Sequence, residues 1–297
     1  MFEEDFNLIS ANDVLYIALG GEHFNYCAIL DDYDLGRTLG VGGFGKVILG
    51  KHKENKKEVA IKFTDVGNEL SSANLISAIY KEAESLKALI HKNIVQLFHA
   101  FIDGKQFIMI MEAAMGGELL DYLKKNEKME EKDARHILMQ IIHAMLYCHS
   151  RGVVHRDLKL ENVLFKNQNF EDDFIVKVVD FGIAGMGGDK VDAGTLAYMA
   201  PECLEKVAAE TSPSIDVWAI GIMFYAMLYG ELPFSGDNEK DLVKQIKENP
   251  IKFNSAIPVT EEAKEIIRLM LQKDHTKRLK LIDIVDMPYT LWDEEEI

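Results

Sequence analysis

The stretch LGVGGFGKV, residues 39–47, puts glycines at 40, 42, 43 and 45 and is followed by runs that read as β-strand. A G-x-G-x-x-G spacing occurs in dinucleotide-binding folds, in hairpins that cover nucleotides and by chance in glycine-rich turns, so its context decides. The dinucleotide form needs a helix starting at the last glycine and an acidic residue about 20 positions on. Neither is found. KVILGKHKENKKEVAIKFT reads instead as two strand-like runs, Lys46–Leu49 and Val59–Phe63, joined by a charged, turn-rich connector. The glycines therefore fall at the tip of an antiparallel ribbon, where missing side chains let backbone N–H groups approach phosphate oxygens.

Farther along, the period of the apolar residues changes. From Tyr33 to about Phe107 strand-like segments dominate, interrupted by the helix-periodic LISAIYKEAESLKALI at 75–90. FIMIMEAAMGGELLDYL then passes from a buried strand through Gly116 and Gly117 into a helix, and helical patterns such as ARHILMQIIHAMLYCHS take over. DVWAIGIMFYAMLY, 216–229, is apolar on every face, as a buried helix is, whereas EEAKEIIRLMLQ is amphipathic. The prediction is an α+β chain with a small, sheet-rich lobe followed by a larger helical one. Residues 1–32 mix acids with an apolar stripe (Val14, Leu15, Ile17, Leu19), either a short amphipathic helix or an extension packed on the domain.

Composition excludes several function classes. With 48% hydrophobic and 28% charged residues in 297, the chain can bury the core of one large domain or two small ones. The 33 basic against 49 acidic residues give a net charge of −16, which argues against nucleic-acid or anionic-membrane partners and favours cationic ones. Cys27, Cys148 and Cys203 are widely spaced, without a C-x-x-C pair, so neither a disulfide framework nor a zinc site is suggested. The start MFEEDFNLIS carries acids where a signal peptide carries bases, position 2 is Phe2 rather than a myristoylated glycine, and no apolar run reaches membrane-spanning length. A reducing, cytoplasmic location is the expectation.

Chemistry-bearing residues fall in three places. Val59-Ala60-Ile61-Lys62 puts a lysine on a strand 22 residues after Gly40, beneath the glycine tip. A lone lysine there is ordinarily a solvated charge, but Glu82 on the 75–90 helix could point back and hold its ammonium towards phosphate oxygens. Such an ion pair is a poor stabiliser, so its use is positioning. VVHRDLKLENVLF, 153–165, supplies Asp157, Lys159 and Asn162 within six residues. An acid can accept a hydroxyl proton, a lysine can neutralise developing phosphoryl charge and an amide oxygen can ligate magnesium. Asp180-Phe181-Gly182, after the strand-like IVKVV at 175–179, offers a second magnesium ligand. The bland alternative is a polar turn between packed elements.

These pieces, in this order, resemble the protein kinase family from about Tyr33 to Leu291. The resemblance implies a bilobal fold: a small lobe over about 33–111, a hinge over 112–116 and a larger lobe over 117–291, with 1–32 as an extension and 292–297 as a tail. It implies that Leu39, Gly40, Gly42 and Gly45 line ATP. Lys62 would contact its α- and β-phosphates with Glu82 as partner, Asp157 would be the base, and Asn162 and Asp180 would hold Mg2+. Met111 falls at the gatekeeper position, with the backbone of Glu112 and Ala114 bonding adenine and Val47, Ala60 and Leu164 enclosing the ring. Glu118 reaches the ribose, Asp216 braces the catalytic loop, and Glu202 of Ala200-Pro201-Glu202 pairs with Arg278. Lys159 after HRDL and the run GTLAYMAPE imply protein substrates carrying Ser or Thr, with Thr195 hydrogen-bonding near Asp157 and Lys159. Glu118 and Glu161 match positions that basophilic members use to hold an arginine ahead of the acceptor, so a preference for upstream Arg or Lys follows.

The sequence also departs from the family pattern. IAGMGGDKVDA, between Gly182 and Gly194, has no Ser, Thr or Tyr, so phosphorylation of that loop cannot activate the chain unless Thr195 is used. Asp189 or Asp192 could give Arg156 a permanent negative partner, or Arg156 could bond only carbonyls. The interval from Asn162 to Asp180, lengthened by KNQNFEDDF, is similar to that of the calcium/calmodulin-dependent group, and particularly its calcium-dependent protein kinases. No EF-hand loop of the usual kind occurs. Few residues follow the last helix, so either a catalytic domain cut from a longer protein or a short kinase regulated in trans is expected. A pseudokinase scaffold is disfavoured by the retention of Lys62, Asp157 and Asp180. A small-molecule kinase is disfavoured by Ala200-Pro201-Glu202 and Thr195.

Overall fold

The computed structural model describes residues 29, 32–42, 45–65, 80, 83–103, 106–167, 174–181, 193–204 and 212–291. Among these, the residues up to Ala88 together with Gln96–Ala113 form one compact unit. Leu89–Val95 and those from Ala114 onward form a second.

The first unit is built on an antiparallel sheet of β1 (Tyr33–Gly42), β2 (Gly45–His52), β3 (Glu58–Asp65), β4 (Leu97–Asp103) and β5 (Gln106–Glu112), ordered β1-β2-β3-β5-β4. Side chains alternate across a strand, and β3 shows why EVAIKFTD folds this way. Val59, Ile61 and Phe63 are buried with Ile48, Ile108 and Ile110 on one face, which leaves Ala60 and Lys62 on the other. A slip of one residue would bury the Lys62 ammonium in that core. On β5 the remaining odd positions, Phe107 and Met109, pack with Ala83 and Leu97, so this strand is covered on both faces.

Residues 83–87 are helical, but Ala88 is a turn, so the described part of the helix predicted over 75–90 ends earlier. The cause is non-local. Val95 N–H donates to Val178 O at 3.0 Å and Val178 N–H to Asn93 O at 2.8 Å. Ile90 N–H, inside the predicted helix, donates to the Tyr147 hydroxyl at 2.9 Å, and just beyond it Asn93 and Val95 are held by the distant strand. A buried amide pair locks this loop in place. Asn93 Nδ2 donates to Gln140 Oε1 at 2.6 Å and to Val176 O at 2.9 Å, while Gln140 Nε2 donates to Phe174 O at 2.7 Å.

The second unit contains α1 (Leu119–Asn126), α2 (Glu131–Ser150), the two-stranded ribbon β6 (Val163–Phe165) and β7 (Val176–Val178), and α3 (Ala193–Leu196). These are followed by α4 (Pro201–Leu204), α5 (Ser214–Tyr229), α6 (Glu239–Glu248), α7 (Glu261–Met270) and α8 (Leu281–Val285). As its all-round apolar pattern requires, α5 is buried from Ile215 to Tyr229 and packs between α2 and α7. Side-chain caps start two of the exposed helices. Asn238 Oδ1 accepts from Asp241 N–H at 3.1 Å for α6, and Thr260 Oγ1 from Ala263 N–H at 3.2 Å for α7. Among the described residues, no helix is long and apolar enough to cross a membrane.

Candidate active site

In the first unit the β1–β2 hairpin pairs Gly40 with Val47 and Gly42 with Gly45, and the register shifts between Thr38 and Gly40, at Leu39. The glycines are not equivalent. Gly45 has φ +149°, and a Cβ there would fall 1.8 Å from Phe63 O, so the hairpin itself requires glycine. At Gly40 a Cβ would meet nothing within 4 Å, so packing does not explain its bare backbone. Lys62 lies opposite Val47 on β2 and Met109 on β5, and Ala60 lies opposite Met111. Directly paired residues project from the same face of a sheet, so Val47, Ala60, Lys62 and Met111 share one face. Glu112, opposite Val59, donates its N–H to Gln96 O at 2.9 Å. Glu82 and Gly43 lie outside the described residues.

The second unit brings Asp157, Lys159, Asn162 and Thr195 together. Lys159 Nζ lies 3.1 Å from Asp157 Oδ2 and donates to Thr195 Oγ1 at 3.0 Å, linking the catalytic-loop motif to α3. Asn162 Nδ2 donates to Asp157 O at 2.7 Å and to Asp157 Oδ2 at 3.1 Å. Both partners are acceptors, so the amide must present its NH2 to them and turn its Oδ1 away. Val179 N–H donates to Asn162 O at 2.9 Å, which ties the residue before Asp180 to Asn162.

Beneath this cluster the loop is held by buried polar groups. Asp216, in the first turn of α5 and 1% exposed, accepts from His155 N–H at 2.9 Å and Arg156 N–H at 3.0 Å. His149 Nε2 lies 2.8 Å from the same carboxylate. These bonds hold Arg156 at φ +70°, a backbone angle that costs a non-glycine residue free energy and persists only where its surroundings impose it. Asp180 has φ +56°, the same kind of strain at the second carboxylate.

The His155 ring joins residues that flank the two strained positions. Its Nε2 is 2.9 Å from Val179 O, a pure acceptor, so Nε2 carries a proton. Its Nδ1 accepts from Asp157 N–H at 3.3 Å, so it carries none. The ring is therefore neutral, in keeping with burial, which pushes its pKa below the ordinary imidazole value. It also packs on Phe181, with ring centroids 4.5 Å apart.

Beside the loop, Gly116 and Gly117 allow residues 115–118 to run against β6. Phe165 N–H donates to Gly117 O at 2.9 Å, and a Cβ on Gly116 would fall 2.5 Å from Phe165 Cβ. This contact pairs Glu118 with Leu164 in an isolated antiparallel bridge. Burial, then the charges of Asp121 and Glu161, push the Glu118 carboxyl above its usual value, and Asp180 adds to this while Lys124 opposes it. Glu161 Oε2 is buried and has no hydrogen-bond partner among the described residues. Farther away, Arg278 Nη1 and Nη2 meet Glu202 Oε1 and Oε2 at 2.6 and 2.9 Å.

Three groups in this web escaped sequence reasoning: His149, the ring of His155 and the Asn93–Gln140 pair. The two histidines flank the apolar Val153-Val154 turn six residues apart, a spacing that was visible but carried no chemistry until Asp216 lay between them. Asp189 and Asp192, proposed as partners of Arg156, lie outside the described residues, as does Gly182.

A model of the protein kinase domain matches residues 33–290. The chain is 35% identical over 263 residues to an Aurora kinase of Dictyostelium discoideum, covering 88% of this chain and 66% of that protein. It is 36% identical over 273 residues to a carbon catabolite-derepressing protein kinase of Secale cereale, covering 89% of this chain and 52% of that protein. The crystal structure of Rad53 1-466 in complex with AMP-PNP is similar at a TM-score of 0.77 and 31% identity, covering 89% of this chain and 66% of that one. The chain thus spans between about half and two thirds of the length of these relatives. A match of this extent, over a loop whose acid, lysine and amide meet as they do here, makes this chain a member of the protein kinase family.

Proposed function

We propose that the chain is an ATP- and magnesium-dependent protein kinase that phosphorylates Ser and Thr residues, preferring substrates with upstream Arg or Lys. The observation that carries this reading is the position of Lys159 Nζ, within hydrogen-bond distance of both Asp157 and Thr195. Asp157 accepts the proton of the substrate hydroxyl as its oxygen attacks the γ-phosphorus and the bond to the ADP oxygen breaks. Lys159 offsets the negative charge that builds on the transferred phosphoryl, and Thr195 fixes the direction of its ammonium.

Asn162 and Asp180 fit a magnesium ion. The Asn162 Oδ1 is turned away from Asp157, the backbone preceding Asp180 is tied to Asn162 through Val179, and the Asn162 amide and Asp180 carboxylate both offer hard oxygen donors. A bound magnesium would neutralise phosphate charge and orient the phosphates for in-line transfer. Two protein ligands suit an ion that completes its shell with water and phosphate oxygens. ATP as the nucleotide is supported by the AMP-PNP in the Rad53 crystal structure and by the bare backbone of Gly40. With no Ser, Thr or Tyr between Gly182 and Gly194, activity needs no phosphate on that stretch.

The basophilic preference rests on Glu118 and Glu161. A substrate guanidinium would give the buried Glu161 Oε2 the donor it lacks and relieve the mutual repulsion that raises the Glu118 pKa. Glu161→Gln is expected to lower kcat/KM for an arginine-containing Ser peptide by about tenfold, the value of one charged hydrogen bond, with little effect on its lysine-free, arginine-free counterpart. Equal losses on both peptides would remove the basophilic reading. Affinity for the arginine peptide should also fall as pH drops through the raised Glu118 pKa, because only the ionised carboxylate attracts the cation.

A further inference from the structure

On a chain with a net charge of −16, one surface of the second unit is locally basic. It forms where loop 89–95 meets the C-terminal half of α2, with Tyr147 at its centre. The Tyr147 hydroxyl accepts from Ile90 N–H at 2.9 Å, the His91 ring lies 5.2 Å from the Tyr147 ring, and the Arg151 guanidinium sits 3.6 Å over it. Ile90 is left 74% exposed here, a large aliphatic side chain in water. Lys92, His143 and Arg151 are exposed around it. Burial lowers the pKa of both His91 and His143, and among the described residues every charge that acts on them is cationic: Lys92, His143 and Lys177 on His91, and Lys92 on His143. Phosphoryl transfer uses none of these groups.

We propose that His91, Lys92, His143 and Arg151, set around Ile90 and Tyr147, form a docking site for an acidic peptide segment of a partner protein that carries an apolar residue among its carboxylates. Charge complementarity selects the acid, and the exposed Ile90 selects the apolar neighbour. A short segment feels mainly charges within a Debye length, about 10 Å at 0.1 M salt, and so sees the local cations. A long polyanion such as a nucleic acid would also meet the charge of the whole molecule and be repelled.

The test uses the full chain and a fluorescent peptide of alternating Glu and Leu, beside its Gln counterpart. The site is independent of phosphoryl transfer, so the Asp157→Asn chain serves equally and a failed kinase reading leaves the result interpretable. The Glu peptide is expected to bind more tightly than the Gln peptide, to weaken with salt, and to lose about tenfold or more in affinity to the exposed-site variant Lys92→Glu combined with Arg151→Glu. Lys92→Glu alone, at an exposed position of the loop, should lose part of that affinity with an unchanged melting temperature. Bound peptide should also raise the pH at which His91 and His143 titrate in NMR spectra, since a carboxylate favours the imidazolium. Equal binding of the two peptides, or equal binding by the charge-reversed chain, overturns the proposal. So does a dimer of the chain that Lys92→Glu dissolves, since a second copy would then be the occupant.

Discussion

Asp157→Asn is expected to lower kcat by about 10²–10⁴, the usual contribution of a positioned general base, with ATP affinity nearly unchanged. The substitution is close to isosteric, and an amide oxygen can still accept from Asn162 Nδ2, which lies 3.1 Å from the native Oδ2. Two properties are lost. The amide cannot take the hydroxyl proton, and it leaves the Lys159 ammonium, 3.1 Å away, without its counter-charge. Steady-state kinetics on a Ser peptide, with nucleotide binding measured separately, would distinguish these consequences from misfolding. A kcat within tenfold of the native value would show that Asp157 is not the base.

Arg278→Leu is expected to destabilise the second unit by about 3–5 kcal/mol, the cost of breaking a buried ion pair on one side only. The Arg278 side chain is fully buried. Besides Glu202 it donates to Gln272 O from Nε at 3.1 Å and from Nη2 at 3.0 Å, and to Ser214 O from Nη1 at 2.9 Å. One guanidinium thus joins α4, the start of α5 and the loop after α7. Removing it leaves the Glu202 carboxylate buried without a counter-charge. The double variant Glu202→Leu with Arg278→Leu should recover part of the loss, because no orphaned charge remains. Urea unfolding followed by the fluorescence of Trp218, whose ring lies 5.1 Å from the Arg278 guanidinium carbon, reports on this unit. A single variant within about 0.5 kcal/mol of the native chain, as for a surface substitution, would contradict the packing described here.

What the sequence made legible is what sits in short contiguous runs. Asp157, Lys159 and Asn162 occupy six residues, so one turn brings them together, and their roles followed from the resemblance to the protein kinase family. The strand alternation of β3 likewise separates Lys62 from the core without reference to any other segment. Groups joined across long stretches of chain were legible only where the family resemblance named them, as for Lys159 with Thr195, Glu202 with Arg278 and Asp216 with the loop at 155–156. The helix expected over 75–90 gives way at Ala88, where Ile90 N–H turns to the Tyr147 hydroxyl and residues 93–95 pair with β7, more than 80 residues away, and periodicity carries no trace of those contacts. The Asn93–Gln140 amides and the His149–Asp216 contact escaped for the same reason. So did the basic surface, whose residues come from 90–92 and 143–151 and look like scattered surface charge until the loop is folded onto α2. Strain at Arg156 is invisible in composition too, since arginine is not a residue type that announces a positive φ, and Asp180, of a type enriched there, is one aspartate among many.

The most direct test of the central claim is transfer of labelled γ-phosphate from ATP to a Ser peptide by the unmodified protein as purified, with magnesium and again with excess chelator. Repeated turnover to phosphoserine is expected with magnesium, none with chelator, and loss of turnover in Asp157→Asn. Nucleotide binding with no transfer to any Ser or Thr peptide in the presence of magnesium would contradict it and make the chain a nucleotide-binding scaffold.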